Sequence, residues 1–118
     1  MEFVSFITCE DDGTGQIVSF AFEDGEMEIK SLILIRTPKL EALLDEEERG
    51  VSVSMDGETE DDFEALAVVR LDADRVTVET RASRYELDIS RVDPTEASEM
   101  KVLIERMNFD HSFTIEHL

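Results

Sequence analysis

The chain has 118 residues, 42% of them apolar, and carries 30 acidic side chains against 11 basic ones, a formal net charge of −19. That length suits a single acidic domain over residues 1–118 with one modest core, and the periodic apolar residues argue against disorder. The charge repels nucleic acid and anionic membrane, while one cysteine, Cys9, excludes an internal disulfide framework.

Phe3 to Cys9 is rich in aromatic and β-branched residues and reads as a strand. Glu10 to Gly15 is a turn signal, followed by a second strand over Gln16 to Phe22. Asp24-Gly25 favours a tight hairpin into a third strand from about Met27 to Arg36. Its centre, Leu32-Ile33-Leu34-Ile35, is apolar on both faces, which predicts a central strand covered on one side by helix. Thr37-Pro38 then starts a short mid-chain helix, with Thr37 as cap and Gly50 as stop. Asp45 to Glu48 fits its end poorly, since carboxylates there meet the negative end of the helix dipole.

Val51 to Met55 alternates as a strand, Asp56 to Asp62 is an acidic loop, and Phe63 to Leu71 is the next strand. Strict alternation would put Phe63, Ala65, Ala67, Val69 and Leu71 on one face and Leu66 and Val68 on the other. Arg75–Thr80 and Arg84–Ser90 complete a meander. Asp93-Pro94-Thr95-Glu96 is the clearest local signal: Asp93 caps, Pro94 opens the helix, and Glu96 completes a box-like cap. Ala97, Met100, Leu103, Ile104 and Met107 form its apolar stripe, and a last strand runs over Ser112 to Glu116. The expected class is α+β: an antiparallel sheet of about seven or eight strands, a C-terminal helix and a shorter mid-chain helix.

No catalytic constellation emerges. His111 and His117 have no serine or cysteine motif around them, and the acids beside Cys9 suppress its thiolate. Gly13 and Gly15 follow acids that would repel phosphate, so no phosphate loop is present. Alternate acids from Asp56 to Glu64 lack the glycine and final glutamate of an EF-hand. No Cys or His spacing suits zinc, so neither metal nor other cofactor is expected. The N-terminus lacks the features of a signal peptide, and no run nears the roughly 18 apolar residues of a membrane span. These features point to a cytoplasmic, non-enzymatic protein without a membrane.

The acids themselves are uneven. Ten lie between Asp45 and Glu64, opposed only by Arg49. A solvated surface is one reading; salt adaptation is another, since arginine outnumbers lysine eight to three. Clustering favours a third, an electrostatic face for a basic protein partner. Its charged rim would be Glu46, Glu47, Glu48, Asp56, Glu58, Glu60, Asp61 and Asp62, with Met55 and Phe63 as apolar anchors. Exposed strand edges leave monomer and homodimer both open.

Leu32-Ile33-Leu34-Ile35-Arg36-Thr37-Pro38-Lys39, then Glu48-Arg49-Gly50-Val51-Ser52-Val53, precede an apolar strand, a short turn and Tyr85-Glu86-Leu87-Asp88-Ile89-Ser90. With the helix that follows, this order resembles the acidic α+β immunity proteins of bacterial toxin systems, in particular the immunity protein ten family. The resemblance implies a cytoplasmic inhibitor that binds a secreted toxin domain and blocks its active site. A DNA-mimic regulator of a nucleic-acid-binding protein is the alternative, as is a salt-adapted domain whose charge binds nothing.

Overall fold

The computed structural model describes residues 2–12, 15–23, 29–43, 50–55 and 64–117. Its elements are β1 Glu2–Asp11, β2 Gln16–Glu23, β3 Ile29–Arg36, a 3-10 helix Pro38–Leu43, β4 Ser52–Met55 and β5 Leu66–Leu71. There follow β6 Arg75–Thr80, β7 Arg84–Asp88, α1 Pro94–Met107 and β8 Thr114–His117. All eight strands form one sheet in the order β4-β3-β2-β1-β7-β6-β5-β8. The protein is therefore α+β, and the sheet is mostly antiparallel. Two pairings, β1 with β7 and β5 with β8, are parallel.

The sheet curls. At one end of the order, β4 also bridges to the start of β5 through Ser52 and Ala65. The Leu66 N–H donates to the Val51 carbonyl at 2.8 Å, and the Val53 N–H to that of Glu64 at 2.9 Å. The inner surface holds the core, with Val18, Phe20, Leu32, Leu34, Val69, Val78 and Leu87 buried there. Met100, Leu103, Ile104 and Met107 of α1 join the same cluster, at the helical spacing their sequence shows.

Two bulges decide which residues reach this core. In β1 the register shifts between Val4 and Phe6, so Val4 and Ile7 both point inward. In β5 it shifts between Leu66 and Val68, and Leu66 then shares the inner face with Val69 and Leu71. Ala65 and Ala67 are exposed instead, which corrects the strict alternation. An extra residue on one strand changes the facing of everything beyond it.

Beyond Phe3, β1 has no described pairing with β7. Here α1 fills the seam: Glu96 Oε1 accepts the Ile7 N–H at 2.8 Å. Glu96 is thus spent on a tertiary contact rather than on a capping box, and Asp93 caps alone through the Thr95 N–H at 2.8 Å. The mid-chain α-helix is replaced by the six-residue 3-10 helix.

β3 lies next to the β4 end of the sheet order, and only one of its faces is in the core. Leu32 and Leu34 are fully buried, whereas Ile33 and Ile35 are partly exposed on the far side. On that far face the register aligns Thr8, Ser19, Ile33 and Ser54 in one row. Phe6, Ala21 and Ser31 form the next, and Glu10, Ile17, Ile35 and Ser52 a third.

Candidate partner-binding surface

Of the residues proposed from sequence as a partner surface, Met55 alone lies among the described ones. Glu46, Glu47, Glu48, Asp56, Glu58, Glu60, Asp61, Asp62 and Phe63 lie outside them. Met55 is partly buried, packs against the core and lines a groove with Glu2, Tyr85 and Leu87. Its contacts are therefore those of a core-edge residue.

The attachment points of the acidic runs are well defined. Residues 44–49 join Leu43 to Gly50, and residues 56–63 join Met55 to Glu64. Gly50 lies two residues before β4 and Met55 ends it, up to roughly 17 Å apart for five extended steps. The second run returns at Glu64, whose carbonyl accepts the Val53 N–H, so both runs are anchored along β4.

The first anchorage is organised by Arg36, which ends β3 and is 2% exposed. Leu32, Leu34 and Arg36 alternate onto the inner face, so strand geometry carries a guanidinium inward. Its Nε donates to both oxygens of Glu41, at 3.2 and 3.1 Å. Nη1 donates to the Met107 carbonyl at 2.6 Å, at the end of α1, and to Asp110 Oδ1 at 2.9 Å. Nη2 donates to Asp110 Oδ2 at 2.7 Å, and the Phe109 ring lies 4.1 Å from the guanidinium carbon. Burial works against the cation, but hydrogen bonds to Asp110 and Glu41 outweigh it and raise the Arg36 pKa. The Arg36 hydrogen bond in turn holds the Asp110 carboxyl far below the usual carboxylate range.

Glu41 Oε1 also accepts the Gly50 N–H at 2.7 Å. Gly50 has φ of 110°, a conformation L side chains rarely adopt, so glycine is required there to present this N–H. The cluster ties β3, the 3-10 helix, the start of β4 and the segment after α1 into one unit. The sequence reading missed it; the signal was the inward parity of Arg36 in an otherwise apolar strand.

Cys9 sits beside α1 in a groove of about 370 Å³ with Asp11, Glu99, Val102 and Arg106. Burial, then Glu99 and Glu96, push its thiol up to about 11, so it is protonated and unreactive at neutral pH. A third groove, of about 920 Å³, runs past Glu64, Thr80, Arg81, His111 and Phe113. His111 has φ of 56°, and its N–H donates to the Asn108 carbonyl at 3.1 Å in the turn after α1. His117 Nε2 lies 3.7 Å from Glu105 Oε1 at the surface. Among the described residues no group of three or more His, Cys, Asp or Glu is placed to hold a metal ion. None of their helices is long and apolar enough to cross a membrane.

On the outward face of β5–β8 the charges are matched across strands. Arg70 Nη1 donates to Glu79 Oε1 at 2.5 Å and its Nε to Glu116 Oε2 at 2.6 Å. Arg84 lies 3.5 Å from Glu79 and 3.2 Å from Glu86. No protein-family model matches the chain, and neither the curated proteins nor the solved structures give a match.

Proposed function

We propose that this chain is a non-enzymatic binding protein, an immunity-type inhibitor that neutralises a basic bacterial toxin, nucleases included, through an acidic surface. The observation that carries this reading is the uneven distribution of charge along the chain. Residues 1–63, which supply β1–β4, hold 18 acids and 4 bases; residues 64–118 hold 12 acids and 7 bases. One of the four bases in the first part, Arg36, is already committed to Glu41 and Asp110. Even decoration for salt tolerance would not concentrate the excess in one half. A strongly negative field speeds capture of a basic protein, and carboxylates can imitate the phosphates that a nuclease binds.

The test is a pull-down from the native host's lysate and secreted fraction, washed at low and at molar salt. One basic toxin-like protein that survives the molar wash is the expected result. Many basic proteins that all elute with modest salt would reduce the charge to non-specific stickiness and end the inhibitor reading. With the partner in hand, reversing charge at Glu46, Glu47, Asp61 and Asp62 is expected to slow association and flatten its salt dependence. Unchanged kinetics would remove these four acids from the surface.

A further inference from the structure

The outward face of β1–β4 carries almost no charge, although 35% of the chain's residues are charged. Its three paired rows hold aliphatic, aromatic and hydroxyl side chains, and a single charged one, Glu10, at a corner. Phe6 is 47% exposed, Ile17, Ile33 and Ile35 are partly exposed, and none of the four belongs to the core. The helix joins the core on the opposite face of these strands. At the strand ends Glu10 and Asp12 lie at one end and Glu23 at the other, with Lys30 beside Glu23 on the neighbouring strand; Asp11 turns to the helix side, where it meets Arg106.

We infer that this neutral face is the contact centre for the basic partner, and that the acids around it steer and rim the contact. The inference rests on the inhibitor reading above and deepens it. An uncharged apolar centre within a charged rim is the usual anatomy of a protein interface. The sign of the rim selects the occupant. A second copy would bring two such rims together, each on a molecule of net charge −19, and an anionic membrane would be repelled in the same way. A basic protein with an apolar patch of its own meets attraction at the rim and burial at the centre.

The test uses substitutions that separate these two contributions by sign. Ile33→Glu and Ile17→Glu each add negative charge, so a purely electrostatic contact would keep or improve its affinity for a basic protein. At a buried contact centre the same change strands an unpaired carboxylate. The probe is the purified basic protein that wild type retains through the molar-salt wash, with affinity read by calorimetry. Val102→Glu, on the exposed side of α1, supplies the same charge change away from the face. Thermal unfolding confirms that each variant is folded, and Ile33→Ser gives a milder change if Ile33→Glu is not.

A loss of at least tenfold for Ile33→Glu and Ile17→Glu, with Val102→Glu within twofold of wild type, is the expected result. Equal affinity for all three would overturn the neutral face while leaving the inhibitor reading in place. Retention of no basic protein by wild type would overturn both. Sedimentation in molar KCl covers the other occupant: a dimer abolished by Ile33→Glu would show that the face is filled by a second copy.

Discussion

On the outward side of β5–β8, Arg70 bridges Glu79 and Glu116 across three strands, and Arg84 adds Glu79 and Glu86. On the outward side of β1–β4 the equivalent positions are Ile17, Ser19, Ile33, Ile35, Phe6 and Thr8. The same sheet therefore handles charge in two ways. One half sets Arg70 and Arg84 among the acids of neighbouring strands, where they form ion pairs. The other keeps the outward rows of its strands nearly neutral and buries Arg36. A surface of the first kind has little left to offer a partner. One of the second kind has a partly exposed, neutral centre, with Ala21 alone of its three rows buried. Where a chain leaves its charge unmatched is thus informative in a way that total charge is not.

The sharpest way to break this contrast is at the arginines. Arg36 is buried among Glu41, Asp110 and the Met107 carbonyl, so removing it leaves a buried carboxylate without its cation and a carbonyl without this donor. Arg36→Ala is expected to cost about 3–5 kcal/mol in urea unfolding, the range for breaking a buried pair from one side. A loss below about 1 kcal/mol, the range of a surface pair, would make the cluster no more than a surface contact.

Why this cluster escaped the sequence while the helix did not is a matter of range. Asp93-Pro94 and the Met100–Met107 stripe act within one or two turns, so the sequence displays them directly. The strands were legible for the same reason, as was the β5–β7 meander with its short turns. The partners of Arg36 lie 5, 71, 74 and 76 residues away, and no local pattern announces them. The bulges at Val4/Phe6 and Leu66/Val68 are equally silent, and the second misdirected the predicted face of β5. Of the candidate surface, the acids were visible as composition. The neutral face was not, because it exists only once four strands are set side by side in register.

The seam between the halves is the next test. There Glu96 replaces a missing strand partner for the Ile7 N–H. Glu96→Ala is expected to cost about 1.5–3 kcal/mol, the range for a hydrogen bond to a charged group. Glu96→Gln, which keeps an acceptor, should recover part of that loss in the same urea titration. No difference between the two variants would mean that the helix, and not this bond, holds the seam.

Asp110 separates the two halves by pH. Its carboxyl is held below its ordinary value by Arg36, so the stability it contributes is complete above the usual aspartate pKa of about 4 and is lost as pH falls toward the folded value. Asp110 is 43% exposed, so solvent screening limits the contribution to about 1 kcal/mol or less. Asp110→Asn is expected to flatten the acid side of the stability profile below about pH 4. The titration of the other acids is common to wild type and variant, and cancels in the comparison. A variant profile parallel to wild type throughout would detach Asp110 from the buried cluster.

The smallest expected effect discriminates best between the two modes of handling charge. Arg70 lies on the outward face, where its ion pairs to Glu79 and Glu116 are open to solvent and ions. At molar KCl the screening length is about 3 Å, comparable to the pairs themselves. Any loss from Arg70→Leu should therefore shrink toward zero between low salt and molar KCl. The Arg36→Ala loss should persist, because ions cannot reach a guanidinium enclosed by protein. Both titrations carry the same background: salt relieves the self-repulsion of the −19 chain and stabilises wild type and variants alike. The difference between variant and wild type is then the quantity to follow. If the two arginines lose their effects together, burial is not what distinguishes the halves. If only the Arg70 effect fades, the ladder is a screened surface balance and the Arg36 cluster is part of the folded frame that holds β3, β4 and the end of α1 in register.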